Sequence, residues 1–163
     1  MPNTRVPASR VIPLSAQEAA ASGFTHLVWV HHEDLDLTTA NTAQTLALID
    51  VADGDVCLAC AVRLRTAFKD SADAALNTTT LIVGDSGSTA RFLASTELNE
   101  NGTEVLAKAG TGTGYAYTST TTIDAIFGSM AAKSLSSLDT GKVAIFLKIA
   151  KLDKLAKAAI PTA

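Results

Sequence analysis

The stretch from Val56 to Phe68 constrains the fold more than any other part of this chain. Val56, Leu58, Cys60, Val62, Leu64 and Phe68 lie on one side of a two-residue repeat, with Arg63 and Arg65 on the other. That is the period of a β-strand with one buried face. Further apolar or alternating runs at Thr25 to His32, Gln44 to Val51, Thr78 to Val83, Arg91 to Ala94, Glu104 to Ala107, Tyr115 to Ser119, Thr121 to Phe127 and Lys142 to Ala150 are predicted strands. In the last of these, Val143, Ile145, Leu147 and Ile149 oppose Lys142 and Lys148. Asp53-Gly54-Asp55 is a turn signal between two strands and predicts a hairpin there. About eight short strands without a long intervening helix predict an all-β sandwich or barrel, and a jelly roll uses this number in two sheets. An immunoglobulin-like sandwich fits the same pattern.

The two ends read differently. Residues 1–22 hold Pro2, Pro7 and Pro13 among small residues and are expected to form an extended N-terminal arm. Within it, Ser15 and Glu18 have capping-box spacing and Gly23 is a natural stop, which predicts a short helix over Ala16 to Ala21. Residues 23–150 form the sandwich domain. Residues 151–163 form a short C-terminal tail, where Leu152, Leu155, Ala156 and Ala159 have helical spacing beside Lys151, Lys154 and Lys157. An extended tail suits that stretch as well.

A chain of 163 residues fits one domain able to bury about 70% of its unfolded surface. With 5% aromatic residues, its core must be packed mainly from Val, Ile, Leu and Ala. The net charge of −3 offers no overall attraction for nucleic acid or an anionic membrane, so neither is an expected partner. No apolar run approaches the roughly 20 residues needed to cross a bilayer. The first thirty residues lack the arrangement of an export signal, and the expectation is a soluble chain.

Four motifs invite a chemical reading. Cys57 and Cys60 have the C-x-x-C spacing of redox and zinc sites. On a regular strand, residues three apart face opposite ways, so these thiols are expected neither to pair nor to share a metal. Gly84-Asp85-Ser86-Gly87-Ser88 looks like the nucleophile loop of chymotrypsin-like proteases, downstream of His26, His31 and His32. The histidines lack that family's context and Ser88 replaces a glycine, so a tight turn is the better reading. His31-His32-Glu33-Asp34 with Asp36 collects metal-capable groups, but adjacent histidines on a strand diverge, which leaves a solvated acidic loop. Gly110 to Gly114 is glycine-rich but precedes Tyr-Ala-Tyr rather than a Lys-Ser/Thr helix start, and reads as a turn. No catalytic, cofactor-binding or metal-binding residue is assigned.

The stretch from His32 to Leu93 resembles head decoration, or cement, proteins of tailed bacteriophages. The resemblance rests on Asp36-Leu37-Thr38, Thr42-Ala43-Gln44-Thr45, Arg65-Thr66-Ala67-Phe68, Leu81 to Ser88 and Arg91-Phe92-Leu93, and it covers somewhat over a third of the chain. It implies a jelly-roll domain that is assembled in the host cytoplasm and binds the outside of the virion head as a dimer or trimer. There it would tie neighbouring major capsid subunits together, without enzymatic activity. Under that reading Arg5, Val6, Arg10, Val11 and Ile12 of the arm are the candidate capsid contacts, and strand edges the candidate subunit contacts. Removing residues 1–14 is then expected to leave a folded domain that no longer decorates heads. The alternative is a ligand- or carbohydrate-binding sandwich of a phage tail or fibre, disfavoured by the scarcity of aromatic platforms.

Overall fold

The computed structural model describes residues 1–73, 79–99, 107–110, 114–128 and 132–152. Its elements in chain order are β1 (Val11–Pro13), α1 (Ala16–Ser22), β2 (His26–His31), β3 (Gln44–Val51), β4 (Asp55–Lys69), β5 (Thr80–Asp85), β6 (Ser88–Glu97), β7 (Ala107–Ala109), β8 (Tyr115–Ala116), β9 (Thr121–Gly128) and β10 (Thr140–Lys151). One sheet has the order β1-β2-β10-β4, with β7 and β8 both paired to the far side of β4. The other has the order β3-β9-β5-β6, and all the strand pairings are antiparallel.

Leaving β1 aside, the pairing is nested: β2 with β10, β3 with β9, β4 with β7 and β8, and β5 with β6. First pairs with last and each inner pair sits within the one before, so a long antiparallel ribbon has been rolled into two sheets. This is the jelly roll. The core lies between the sheets, filled by Val28, Val30, Leu46, Leu48, Leu81, Val83, Leu93, Ile123, Phe127, Val143, Ile145 and Leu147, each at most 1% exposed.

Nesting overturns the predicted hairpin at Asp53-Gly54-Asp55. The turn itself forms, with Gly54 at φ 82° and the Asp55 amide donating to the Ala52 carbonyl at 3.1 Å. Yet β3 pairs with β9 and β4 with β10, so the turn carries the chain from one sheet to the other. A local turn signal specifies a change of direction, and the strands choose their partners by long-range burial.

The longest pairing is β4 with β10, and it is uneven: fifteen residues of β4 lie against twelve of β10. The difference of three appears as three register shifts. At the first, Lys148 and Ile149 face Ala59 and Cys57, which leaves Leu58 as an extra residue. Beyond it the inward phase changes, so Cys57 and Cys60 are both buried while Leu58 is 44% exposed. The expectation that Leu58 faces the core and that the two thiols diverge is thereby corrected.

The last shift brings Phe68 inward, where it lies 5.8 Å from Phe127 of the opposite sheet and its amide donates to the Leu98 carbonyl at 2.9 Å. Opposite it is Gly141 at φ 149°, where an added Cβ would lie 2.3 Å from the Phe68 ring. Neither the backbone angle nor the space suits a side chain.

The segment read as an arm lies along its own domain. Helix α1 forms with the Ser15/Glu18 capping box and a left-handed Gly23, as its sequence signals require. Before it, Val11, Ile12 and Pro13 pair with Val28, Leu27 and His26, extending the β2 edge. Further back the Val6 amide donates to the Ala47 carbonyl at 3.1 Å, and the Ala47 amide to Thr4 at 2.9 Å. The N-terminus therefore straps the open edges of both sheets, with Val6 2% exposed between them. A cavity of about 450 Å³ remains beneath the strap, lined by Val6, Val11, His26, Leu48 and Ile49 and by the Arg5–Asp50 ion pair. The C-terminal helix predicted from Leu152 to Ala159 lies outside the described residues beyond Leu152, as does most of the run predicted at Glu104 to Ala107.

Gly141→Ala should lower stability by about 2–4 kcal/mol, through overpacking and backbone strain together. Thermal or urea denaturation checks this, and an unchanged midpoint would refute the role given to the Gly141–Phe68 contact.

Candidate interaction surface

The cysteine, Gly-Asp-Ser-Gly and His-Glu-Asp motifs each make contacts within the fold. Both cysteines are free thiols facing the core. Burial pushes each thiol up to about 12, opposed at Cys57 by the Ala59 backbone and reinforced at Cys60 by Cys57. Such thiols are neutral and shielded at physiological pH. In the Gly-Asp-Ser-Gly stretch, Asp85 and not Ser86 organises the loop. Its Oδ1 accepts from the Gly87 and Ser88 amides at 2.9 Å each, and its Oδ2 accepts from Arg91 Nε at 2.6 Å and the Tyr117 hydroxyl at 3.2 Å. The result is the β5–β6 turn. Around Ser86 stand Asp85, Gly87, Tyr115, Tyr117 and Thr118 to Thr121, with no histidine among them.

Burial works to raise the Asp85 pKa, but the Arg91 guanidinium and the Ser88 and Gly87 amides outweigh it and hold the carboxyl below its ordinary value. Arg91 is also stacked on the Tyr115 ring at 3.6 Å, and Tyr115 meets Tyr117 edge-on at 5.0 Å. One buried carboxylate thus pins the β5–β6 turn to the β8 segment.

The His-Glu-Asp loop is less solvated than expected. Asp34 is 4% exposed, accepts from the His31 amide at 2.8 Å and pairs with Arg10, which also reaches Glu33 at 3.3 Å. Arg10 on the strap explains the burial. Gln44 completes the attachment: its Nε2 donates to the carbonyls of Asn3 and Asp34 at 3.0 Å each and to Asp36 Oδ1 at 2.9 Å, and its Oε1 accepts from the Leu37 amide at 3.0 Å. Burial lowers the His31 and His26 pKa values, so both rings favour the neutral form. Among the described residues no group of three or more metal-capable side chains converges. Of the Gly110 to Gly114 stretch, residues 111–113 lie outside the described residues.

The five candidate contacts of the N-terminus are placed unequally. Val6 is buried, Val11 packs against the core, and Arg10 is engaged with Asp34. Arg5 keeps a side chain 48% exposed while bound to Asp50, and Ile12 is 39% exposed. Ile12 alone belongs to a larger apolar surface.

That surface is the outward face of the β1-β2-β10-β4 sheet. Inward-facing Val28, Val30, Val62, Val143, Ile145 and Leu147 fix the phase, so their neighbours along the strands point out. Cross-strand pairing then lines up Ile12, Leu27, Phe146, Ala61 and Ala109 in one row spanning five strands. The next row holds Trp29, Ala144 and Arg63. Phe24 packs on Phe146 at 5.6 Å, and Lys142 Nζ lies 4.6 Å from the Trp29 ring centre. A shallow groove of about 320 Å³ runs between Phe24, Phe146, Ala61, Arg63 and Ala109.

An antiparallel sheet with one face in the core normally alternates apolar and polar. Here the outer face is apolar and aromatic at its centre and basic at its margin, a composition that marks contact surfaces. The sequence carried a signal for it. His26 to His31 reads His-Leu-Val-Trp-Val-His, apolar on both faces, and Phe146 falls out of phase with the buried residues of β10. No family model, curated protein or solved structure matches this chain.

Two tests follow. Neither thiol should be alkylated by iodoacetamide at neutral pH in the native protein, and both should react after unfolding; rapid native labelling would show that β4 opens at its first bulge. A depressed Asp85 pKa stabilises fully above the unfolded carboxylate value of about 4, and that stability is lost as pH falls through the folded value. Asp85→Asn should therefore cost about 2 kcal/mol at neutral pH and flatten the acid side of the stability–pH curve. An unaltered acid limb would remove Asp85 from the account.

Proposed function

We propose that this protein is a structural virion component that binds the outside of a phage head and cements neighbouring major capsid subunits, docking through the outward face of β1, β2, β10 and β4. The observation that carries the reading is the outward row of Ile12, Leu27, Phe146 and Ala61 with Trp29 beside it, apolar side chains of which Ile12 is exposed and the others are half-buried. The resemblance of His32 to Leu93 to decoration proteins supplies the kind of partner. In this reading the protein does no chemistry, acts as a dimer or trimer, and is assembled onto heads in the host cytoplasm.

The arrangement suits such work. A rolled ribbon with strapped edges is a rigid body, and rigidity spares the ordering cost that a flexible binder pays on docking. Many copies on one head multiply a modest affinity per contact. The strap is a poor place to test the idea, because removing it takes Val6 from the core and uncovers two strand edges. Substitutions on the outer face avoid that difficulty.

The experiment uses expanded cognate heads lacking the protein, with occupancy read by co-sedimentation and electron microscopy. The wild type should saturate discrete sites, and Trp29→Ser with Leu27→Ser should weaken binding about thirty-fold or more, as loss of a central aromatic anchor does. Circular dichroism and thermal melts establish that the variant is folded. Failure of the wild type to bind, or equal occupancy by the variant, refutes the proposal.

A further inference from the structure

The charges of the sandwich are segregated by sheet. The strands β4 and β10 carry Arg63, Arg65, Lys69, Lys142, Lys148 and Lys151 against a single carboxylate, Asp55. That carboxylate is 2% exposed and bound to Lys151 at 3.0 Å, so these two charges cancel one another and the other cations of the sheet remain. The strands of the other sheet carry Asp50, Asp85, Glu97 and Asp124 against Arg91 alone. A chain of net charge −3 therefore presents one positive face.

We infer that the surface docked on this face is a carboxylate-rich protein surface with apolar residues at its centre. The inference rests on the outer face being the docking site, and it names the chemistry of the partner. Arg63, Arg65 and Lys148 are exposed at outward positions, and Lys142 joins them beside Trp29. None of the four belongs to an ion pair among the described residues. They flank the apolar row and leave its centre uncharged, the division found in protein interfaces, where charge sits at the rim and apolar groups at the core.

Nucleic acid would also meet positive charge, but single strands are held by stacking on free aromatic faces. Lys142 sits over Trp29, and Phe146 is engaged with Phe24. A second copy docking through the same face would oppose like charges across the contact.

The test uses the full chain and three probes: an immobilised glutamate–leucine copolymer, a thymidine oligonucleotide of similar length, and expanded cognate heads. The variant is Arg63→Glu with Arg65→Glu and Lys148→Glu, exposed positions at which charge reversal leaves the core untouched. The copolymer should bind the wild type more tightly than the oligonucleotide does. Its binding should weaken about tenfold between about 50 and 300 mM salt, as expected for screened rim charges. The variant should lose at least about tenfold on the copolymer. Trp29→Ser should also weaken the copolymer, which separates docking at this face from diffuse charge attraction.

Tighter binding of the oligonucleotide overturns the inference, and so does concentration-dependent self-association that the charge-reversed variant abolishes. Equal copolymer binding by variant and wild type overturns it as well. If the copolymer behaves as expected while heads remain undecorated, the cement reading fails and the acidic-partner inference stands. If heads bind through Trp29 and Leu27 but are indifferent to the charge reversal, the inference fails and the cement reading stands.

Discussion

Everything in this fold is referred to the β4–β10 ladder. It joins the longest strand to the last, lies at the centre of its sheet, and closes the nested pairing that makes the ribbon a roll. Its three register shifts decide which side chains of β4 face the core, and with them the shape of the molecule. A flat ladder of this length would untwist the sandwich; each extra residue bends the strand and adds right-handed twist. The first shift buries two thiols, and the last delivers Phe68 to Phe127 across the core, against Gly141, whose lack of a side chain makes room for the ring.

A jelly roll still has sheet edges, and unpaired edges invite unwanted pairing. The chain covers two of them with its own N-terminus, β1 on β2 and residues 4–6 on β3. The attachment is made by specific polar groups: Arg10 with the buried Asp34, Arg5 with Asp50, and Gln44 with the backbone of Asn3. Desolvated Asp34 is held by a guanidinium and an amide, and strap and loop therefore stabilise one another. The outward row gains from this closure, because β1 contributes Ile12 and widens the apolar face by one strand.

The sequence was legible where burial is regular. Thr121 to Phe127 emerges within a residue of the expected bounds because its alternation is uninterrupted, and Gln44 to Val51 emerges with its expected bounds because it is apolar on both faces from Leu46 to Ile49, across a register shift between Ala47 and Ile49. Ser15, Glu18 and Gly23 specified α1 by local capping alone. Three things were hidden. The bulge at Leu58 looks like continued alternation, since Val56, Leu58 and Cys60 are all apolar, and only the register with β10 reveals it. Asp53-Gly54 announces a turn without saying which strands it joins. The prolines and small residues of the first fourteen positions suggest a loose segment, whereas Arg5 and Arg10 find buried or exposed carboxylates far away in sequence that fasten it down.

The outer face shows why a doubly apolar strand is informative only after its partners are known. In a parallel sheet the run Leu27-Val28-Trp29-Val30 would be buried on both sides and would call for no explanation. In this antiparallel sandwich one side of β2 faces the core, and on the other Leu27 and Trp29 are only half-buried, with Lys142 over the Trp29 ring. Register then joins Leu27 to Ile12 and Phe146, residues distant in sequence, and places cations around them. Burying Leu27, Trp29 and Phe146 against a partner would contribute roughly 25 cal/mol for each Å² of apolar surface withdrawn from water. The rim cations, which have no ion pair among the described residues, would then bias which apolar surfaces are accepted, because a basic rim repels a basic partner.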